Sequence, residues 1–433
     1  MRIRSLTIGA ALPQDEGERH MLIDRLGNLA QAGRAALEAG GFTVQTTRLS
    51  TQPLELWLEP SDPRGAAGVV AELGRRCVEA GIDYCALGTM QAAVSVDPEQ
   101  GEKLHALQAL IPSLLLAADN IFASIQVGAR TAAGGAVNLH AVRASAQAIR
   151  TLAEGTAGGF GNLRFAAAAN CPPHIPFFPA SYYIEDRHNN GGPEFGLALE
   201  AADLAIRAFE GARSHDEARG NLLALLVEQG SKAAQICVRL GTDYGYTFTG
   251  LDISMAPYPT PDRSIARALE LLGGSALGAP GTLAAATFFT DVLKEARRHL
   301  PAVGYSGLML PVLEDQTLAD RAAEGLVSLH TLLLLSAVCG LGLDTVPLPG
   351  DITAGQLEQI IFDMAALAVR LDKPLTARLL PVPGRQAGEP AEWPDFPYFA
   401  RGRVMPVMPT TAPTTATAHE TIGLFAGEWV RLS

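Results

Sequence analysis

The chain has 433 residues, 48% of them hydrophobic and 6% aromatic, with 44 glycines and a formal net charge of −12 at pH 7. That acidity argues against nucleic acid or an anionic membrane surface as partner, and an anionic substrate would need a local arginine cluster, helix N-termini or a metal. Five scattered cysteines (Cys77, Cys85, Cys171, Cys237, Cys339) form no CxxC pair and no zinc-ligand spacing, which points to reduced thiols in the cytoplasm.

The opening MRIRSLTIGAAL holds too short an apolar run for a signal peptide and reads as a strand over 3–9. Apolar residues at helical spacing follow over 21–39, stopped by Gly40 and Gly41, and a second strand is expected over 42–49. Strand, helix and strand in that order form a βαβ unit and predict parallel pairing. The pattern repeats with a helix over 66–80 and a strand over 84–88. After an apolar block over 106–129, a helix is expected over 138–154. The stretch 158–192, with four prolines and a closing NNGG, predicts an ordered irregular excursion.

Helices are expected over 195–208 and 217–240, then a strand over 246–254 that breaks at PYPTP, then helices over 264–272 and 282–299. Two short apolar strands, 307–313 and 344–348, flank the apolar segment 326–343, which reads as a buried helix because Ser328, His330 and Ser336 interrupt it. A helix over 354–371 and a strand over 376–382 complete one continuous α/β domain over 1–400. From 401 to 433 the chain is a Pro/Thr-rich tail, with 423–430 as a last ordered piece.

Chemistry is expected where strands run into acidic residues, because ligands of α/β folds sit at the carboxyl ends of strands. Asp252, Glu314, Asp315, Asp344 and Asp351 form that set, suited to acid–base work or to holding Mg²⁺ or Ca²⁺. The plainer account makes Asp315 and Asp351 helix N-caps, whereas Asp252 and Asp344 sit in apolar strands and need a partner or a task. His174 stands three residues from Cys171 and suggests a nucleophile with its base, but such pairs are set in space and not by sequence spacing, and Cys171 reads first as a small buried residue. Asp186 with His188 offers a ligand pair or plain loop polarity. Arg164 and Arg378 lie within apolar strands and would anchor substrate or pair with an aspartate, with Asn170 and Ser254 completing the substrate-binding set. Neither GTAGGFG nor CGLGLD matches a phosphate-loop pattern.

Several stretches together resemble the domain-of-unknown-function 711 family: DNIFASI (119–125), GFGNLRFAAAANCPPHIPFFPASY (159–182), LDISMAPYPTPDRSIARALE (251–270), GAPGT (278–282), GYSGLMLPVLED (304–315), CGLGLDTVPLPGD (339–351) and ARLLPVPG (377–384). The resemblance implies an α/β barrel of about ten strands with outer helices, similar to the glycyl-radical enzymes, and carries over no catalytic roles. Those enzymes hold their radical on the glycine of an Arg-Val-x-Gly signature. Here the nearest string is Arg403-Val404-Met405-Pro406, so radical chemistry is rejected. His174 and the segment 184–192 look like departures from the family pattern.

The expected function is an enzyme acting on a small polar or anionic metabolite by non-radical, carboxylate-based chemistry of hydrolase or lyase type, with or without a divalent metal such as Mg²⁺ or Ca²⁺. The alternative is a non-catalytic metabolite sensor on a degenerate barrel. The apolar helices and tail are compatible with a homodimer.

Overall fold

The computed structural model describes residues 1–93, 98–131, 134–185, 192–409 and 421–424. Its strands are β1 (Arg2–Ala10), β2 (Val44–Thr51), β3 (Tyr84–Met90), β4 (Ile121–Thr131), β5 (Gly134–Asn138), β6 (Phe165–Ala169), β7 (Glu194–Glu200), β8 (Thr247–Ala256), β9 (Gly342–Pro349) and β10 (Leu375–Val382). One large sheet runs in the order β8-β7-β1-β2-β3-β4-β6-β10-β9. The neighbours from β1 through β4 to β6 are parallel, as the helical crossovers predict. The pairs β7–β8 and β9–β10 are also parallel, and each joins the first group through one antiparallel contact, β1 with β7 and β6 with β10. β5 folds back on β4, and residues 421–424 pair with β5. Residues 425–430, expected as part of a final ordered piece, lie outside the described residues.

Local chemistry fixes the crossovers. The helix Glu16–Ala39 starts where the Asp15 carboxylate accepts the Glu18 N–H. The helix Ala354–Leu371 starts at a reciprocal box between Thr353 and Gln356 and ends with Asp372 in a left-handed conformation. No helix among the described residues is long and apolar enough to cross a membrane.

Three sequence expectations need correction. Residues 195–208 are not one helix: β7 occupies Glu194–Glu200, and the helix is only Ala202–Phe209. Every residue of β7 is buried, so its sequence lacks the alternation of a half-exposed strand. The apolar segment 326–343 is helical only over Leu329–Ser336. The strand expected over 307–313 does not form. Pro301 and Pro311 lack ladder donors, and Gly304 and Ser306 take φ of 63° and 42°, so the segment makes only isolated parallel bridges, Leu251–Ala302 and Pro311–Asp344. The large sheet therefore stays open, in regular pairing, between β8 and β9.

The two faces of the sheet differ. Ile3, Leu6 and Ile8 of β1, Cys85 and Leu87 of β3, and Ile121, Ala123 and Ile125 of β4 join the main apolar core with the helices. Ser5, Thr7, Ser50 and Ser124 face instead an inner segment, residues 170–185. There the Pro176 carbonyl accepts from the hydroxyls of Ser5 (3.0 Å) and Thr7 (2.7 Å), and the Pro179 carbonyl accepts from Ser124 (3.1 Å). Ser181 donates to Ser50 at 2.8 Å. Since this segment forms no strand or helix, its carbonyls need these hydroxyl partners. Phe178 packs with Ala86 and Phe122 in a small core of its own.

Candidate functional site

Beside the inner segment lies a cavity of about 70 Å³, several times the space one water needs. Its walls come from the amino-terminal halves of β1 to β4, from residues 305–314, and from β9 and β10. The polar centre is Arg378 of β10. Its Nε lies 2.5 Å from Asp344 Oδ1, and its Nη2 donates to Asp344 Oδ2 (2.9 Å) and Glu314 Oε1 (2.8 Å). The other Glu314 oxygen accepts from Arg4 Nη2. Arg4 Nη1 is buried without a hydrogen-bond partner, 3.7 Å from Glu200 Oε2. Glu200 is in turn paired with Arg263 at 3.2 Å.

Burial opposes the charge on Arg378, and Asp344 and Glu314 more than offset that, raising its pKa. Of the two carboxyls, Asp344 is pushed above the usual range by burial, with Arg378 pulling it down and Glu314 pushing it up. Both Asp344 oxygens accept from Arg378, so the carboxyl sits in a bidentate ion pair even as burial raises its pKa.

Arg48 differs from the other two arginines. Its Nε donates to Thr46 Oγ1 at 2.9 Å, and among the described residues no carboxylate pairs with it. Its guanidinium lies 5.1 Å from the Phe178 ring centre and 5.9 Å from that of Tyr84. Removal from water, then the neighbouring Arg4 charge, lower its pKa to about 9.

The structure brings Glu314, Asp344 and Arg378 of the predicted residues into this cavity. Asp252, fully buried, accepts from Ser254 N (3.0 Å) and Oγ (2.6 Å), Tyr305 N (2.8 Å) and Ser306 N (2.9 Å), so it pins the 304–306 turn. A Cβ on Gly304 would stand 2.2 Å from its Oδ2, which explains the glycine. Ser254 also accepts the Gly307 N–H at 3.1 Å. Asp315 caps two helices. It accepts from Leu318 N in its own helix and from Ser264 Oγ, Ile265 N and Ala266 N at the start of the helix Ile265–Gly273. Asp351 is exposed, bonded to Gln386 at 3.0 Å, and Thr353 caps the helix that follows it.

Arg164 precedes β6 rather than lying within it. Its Nη1 donates to the carbonyls of Leu115 (2.5 Å) and Ala118 (2.6 Å), closing the end of the helix Pro98–Leu116. Asn170, at φ 58°, ties Arg130 N to Asp372, outside the cavity. His174 sits in the inner segment near the carboxyl ends of β1 and β2, its Nδ1 bonded to Glu194. Cys171 is buried and its thiol is pushed up to about 12, so it is no ready thiolate. Asp186 and His188 lie outside the described residues. Among those residues, the group whose atoms could share a cation is Glu16, His20 and Glu72, none from the predicted set. A divalent ion between Glu314 and Asp344 would meet the Arg378 charge.

The family model described as Uncharacterised ACR (DUF711) matches residues 1–395. The chain belongs to that family. It is similar to the UPF0210 protein of Pyrobaculum arsenaticum, 32% identical over 383 residues that cover 86% of this chain and 80% of that one. It also resembles UPF0210 proteins of Desulfovibrio desulfuricans (30% over 381 residues, 85% and 80% covered) and Pelotomaculum thermopropionicum (28% over 433 residues, 95% and 91% covered). The DUF711 match holds the arginines and acids of the cavity, whereas Phe396 and Tyr398 of its wall lie just past residue 395.

Sequence reasoning missed Arg4, Arg48, Tyr84, Phe122 and Phe178. The signal that singled out Arg378, an arginine inside a strand, was present at Arg4 and Arg48 as well.

Proposed function

We propose that this cavity binds a small anionic metabolite, with Arg48 and Arg4 Nη1 receiving the anion and Asp344 exchanging a proton with it. The chemistry would be non-radical and carboxylate-based, of hydrolase or lyase type. The observation that carries the reading is Arg48: a half-buried guanidinium held against the Phe178 and Tyr84 rings, with no carboxylate paired to it among the described residues, is costly unless an anion completes it. Pro406 at the place of the radical glycine supports chemistry of the non-radical kind. Asp344 serves as the acid–base group because burial holds its proton above the usual carboxylate range.

A finer reading of the architecture goes with this. The segment 301–311 stands in for a further strand and brings β8 and β9 round the cavity into a ring of the glycyl-radical-enzyme kind. Support comes from its bonds to both edges: Val303 N to Leu251 O at 2.9 Å, and Gly340 N to Leu308 O at 2.7 Å just before β9.

A second reading, a sensor without turnover, is favoured by the commitment of both Glu314 and Asp344 to Arg378. Thermal-shift titration with small carboxylates and phosphates, on the wild type and Arg48→Met, tests the anion site. An equal response of the two proteins would reject it. With a ligand in hand, Asp344→Asn separates the two readings. An enzyme keeps affinity and loses turnover, while a sensor shows no turnover in either protein.

A further inference from the structure

We infer that the occupant of this cavity is a small planar monocarboxylate, its carboxylate on Arg48 and Arg4 and its flat body laid against the ring cluster of Tyr84, Phe122 and Phe178. The inference rests on the anion-site reading and adds charge and shape to it.

Charge comes first. Arg4, Arg48 and Arg378 line the cavity with Glu314 and Asp344, and the Arg263–Glu200 pair behind them is neutral as a unit. With all of these ionised, Asp344 standing in the proton-accepting form of its exchange, one positive charge is left over. A monoanion balances it, a phosphate dianion overshoots beside Glu314 and Asp344, and a neutral ligand leaves Arg48 uncompensated. A guanidinium fork also matches a carboxylate in one plane.

Shape comes from the walls. Aromatic residues make up 6% of the chain but a third of this lining. Three of them form a frame beside Arg48. Tyr84 meets Phe122 edge-on at 5.3 Å and 72°, and Phe122 meets Phe178 at 5.4 Å and 55°. Rings held at such angles present both faces and edges, which suits a flat conjugated body stacked on one ring and edged by another. The Arg48 guanidinium lies against two of the same rings, so a carboxylate coplanar with the ligand's flat body brings that body onto their cavity side.

Binding to the full chain at fixed ionic strength tests this, by calorimetry with benzoate, cyclohexanecarboxylate, acetate and phosphate as probes. Benzoate is expected to bind at least about tenfold more tightly than cyclohexanecarboxylate, which has the same charge and a puckered ring, and to compete with phosphate. Phe178→Leu and Tyr84→Leu keep apolar bulk. Each should lower benzoate affinity more than acetate affinity and so erase the benzoate preference, and with two variants a folding failure in one leaves the other to decide. Cyclohexanecarboxylate or phosphate binding as tightly as benzoate overturns the planar monoanion while the anion site stands. Absence of any Arg48-dependent binding overturns both.

Discussion

Asp315 gives the sharpest test of which acidic residues build the fold. Its carboxylate, fully buried, accepts three backbone N–H groups and one hydroxyl: Leu318 N at 3.1 Å, Ile265 N at 2.7 Å, Ala266 N at 3.1 Å and Ser264 Oγ at 2.6 Å. In Asp315→Ala, two helix ends lose an acceptor, and each such loss costs about 1 kcal/mol at an ordinary cap. Here the N–H groups are also cut off from water, and an orphaned buried donor costs about 1–3 kcal/mol. The expected loss is therefore about 4–6 kcal/mol, against the roughly 5–15 kcal/mol that hold typical domains folded. Asp315→Asn keeps one oxygen and should lose about 2 kcal/mol, since an amide N–H₂ would face donors at one of the two helix ends. Urea unfolding followed by circular dichroism reads both numbers. A loss below about 1 kcal/mol in Asp315→Ala would refute the clamp, as would intact stability with a lost response to anions.

Glu55 lies half-buried with one oxygen accepting Gln91 N at 3.1 Å and the other without a partner, and burial raises its pKa. The folded state thus binds that proton more tightly than the unfolded chain. Its contribution to stability is full below the unfolded pKa and is lost as pH rises through the folded one. Glu55→Gln should match the wild type near pH 4 and become the more stable protein towards pH 7, and melting curves across that range check the sign. At Gly88, φ is 77° and a Cβ would stand 2.0 Å from the Gln52 carbonyl oxygen. Gly88→Ala should cost about 3–5 kcal/mol from strain and overlap. Gly68→Ala, on the helix Pro63–Glu79 with open space around it, should instead gain about 0.5–1 kcal/mol in the same urea experiment.

The helical crossovers were legible because their signals are local. The helix over 354–371 reads from its apolar spacing and the structure places it at those residues, although its cap is Thr353 with Gln356 and not Asp351. β7 was misread because burial on both faces removes the alternation that identifies a strand, and 307–313 because an apolar run says nothing about the φ of Ser306. The cavity was half legible. Arg378 and Asp344 stand out as charges in apolar strands, and the structure places them 2.5 Å apart. Arg4 and Arg48 escaped notice because polar residues stand near them, Ser5 and Thr7 in β1 and Thr46 and Thr47 in β2, so their strands read as a sheet with one face in water. The inner face of this sheet is polar, so it looks like solvent-facing sequence although residues 170–185 cover it.

The hydroxyls that receive this inner segment also bear on how the chain comes off the ribosome. β1 to β4 and β6 are complete by Ala169, whereas β10 ends at Val382. At translation rates of about 5–20 residues per second the second set trails the first by roughly ten to forty seconds, whereas residues 170–185, next in the chain, follow within about one to three seconds. For that short interval the nascent half-sheet displays Ser5, Thr7, Ser50 and Ser124, hydroxyls that water wets where a bare apolar face would recruit other nascent chains. The polarity that disguises the interior in the sequence thus lets the first half-sheet take its cover well before the second half is made.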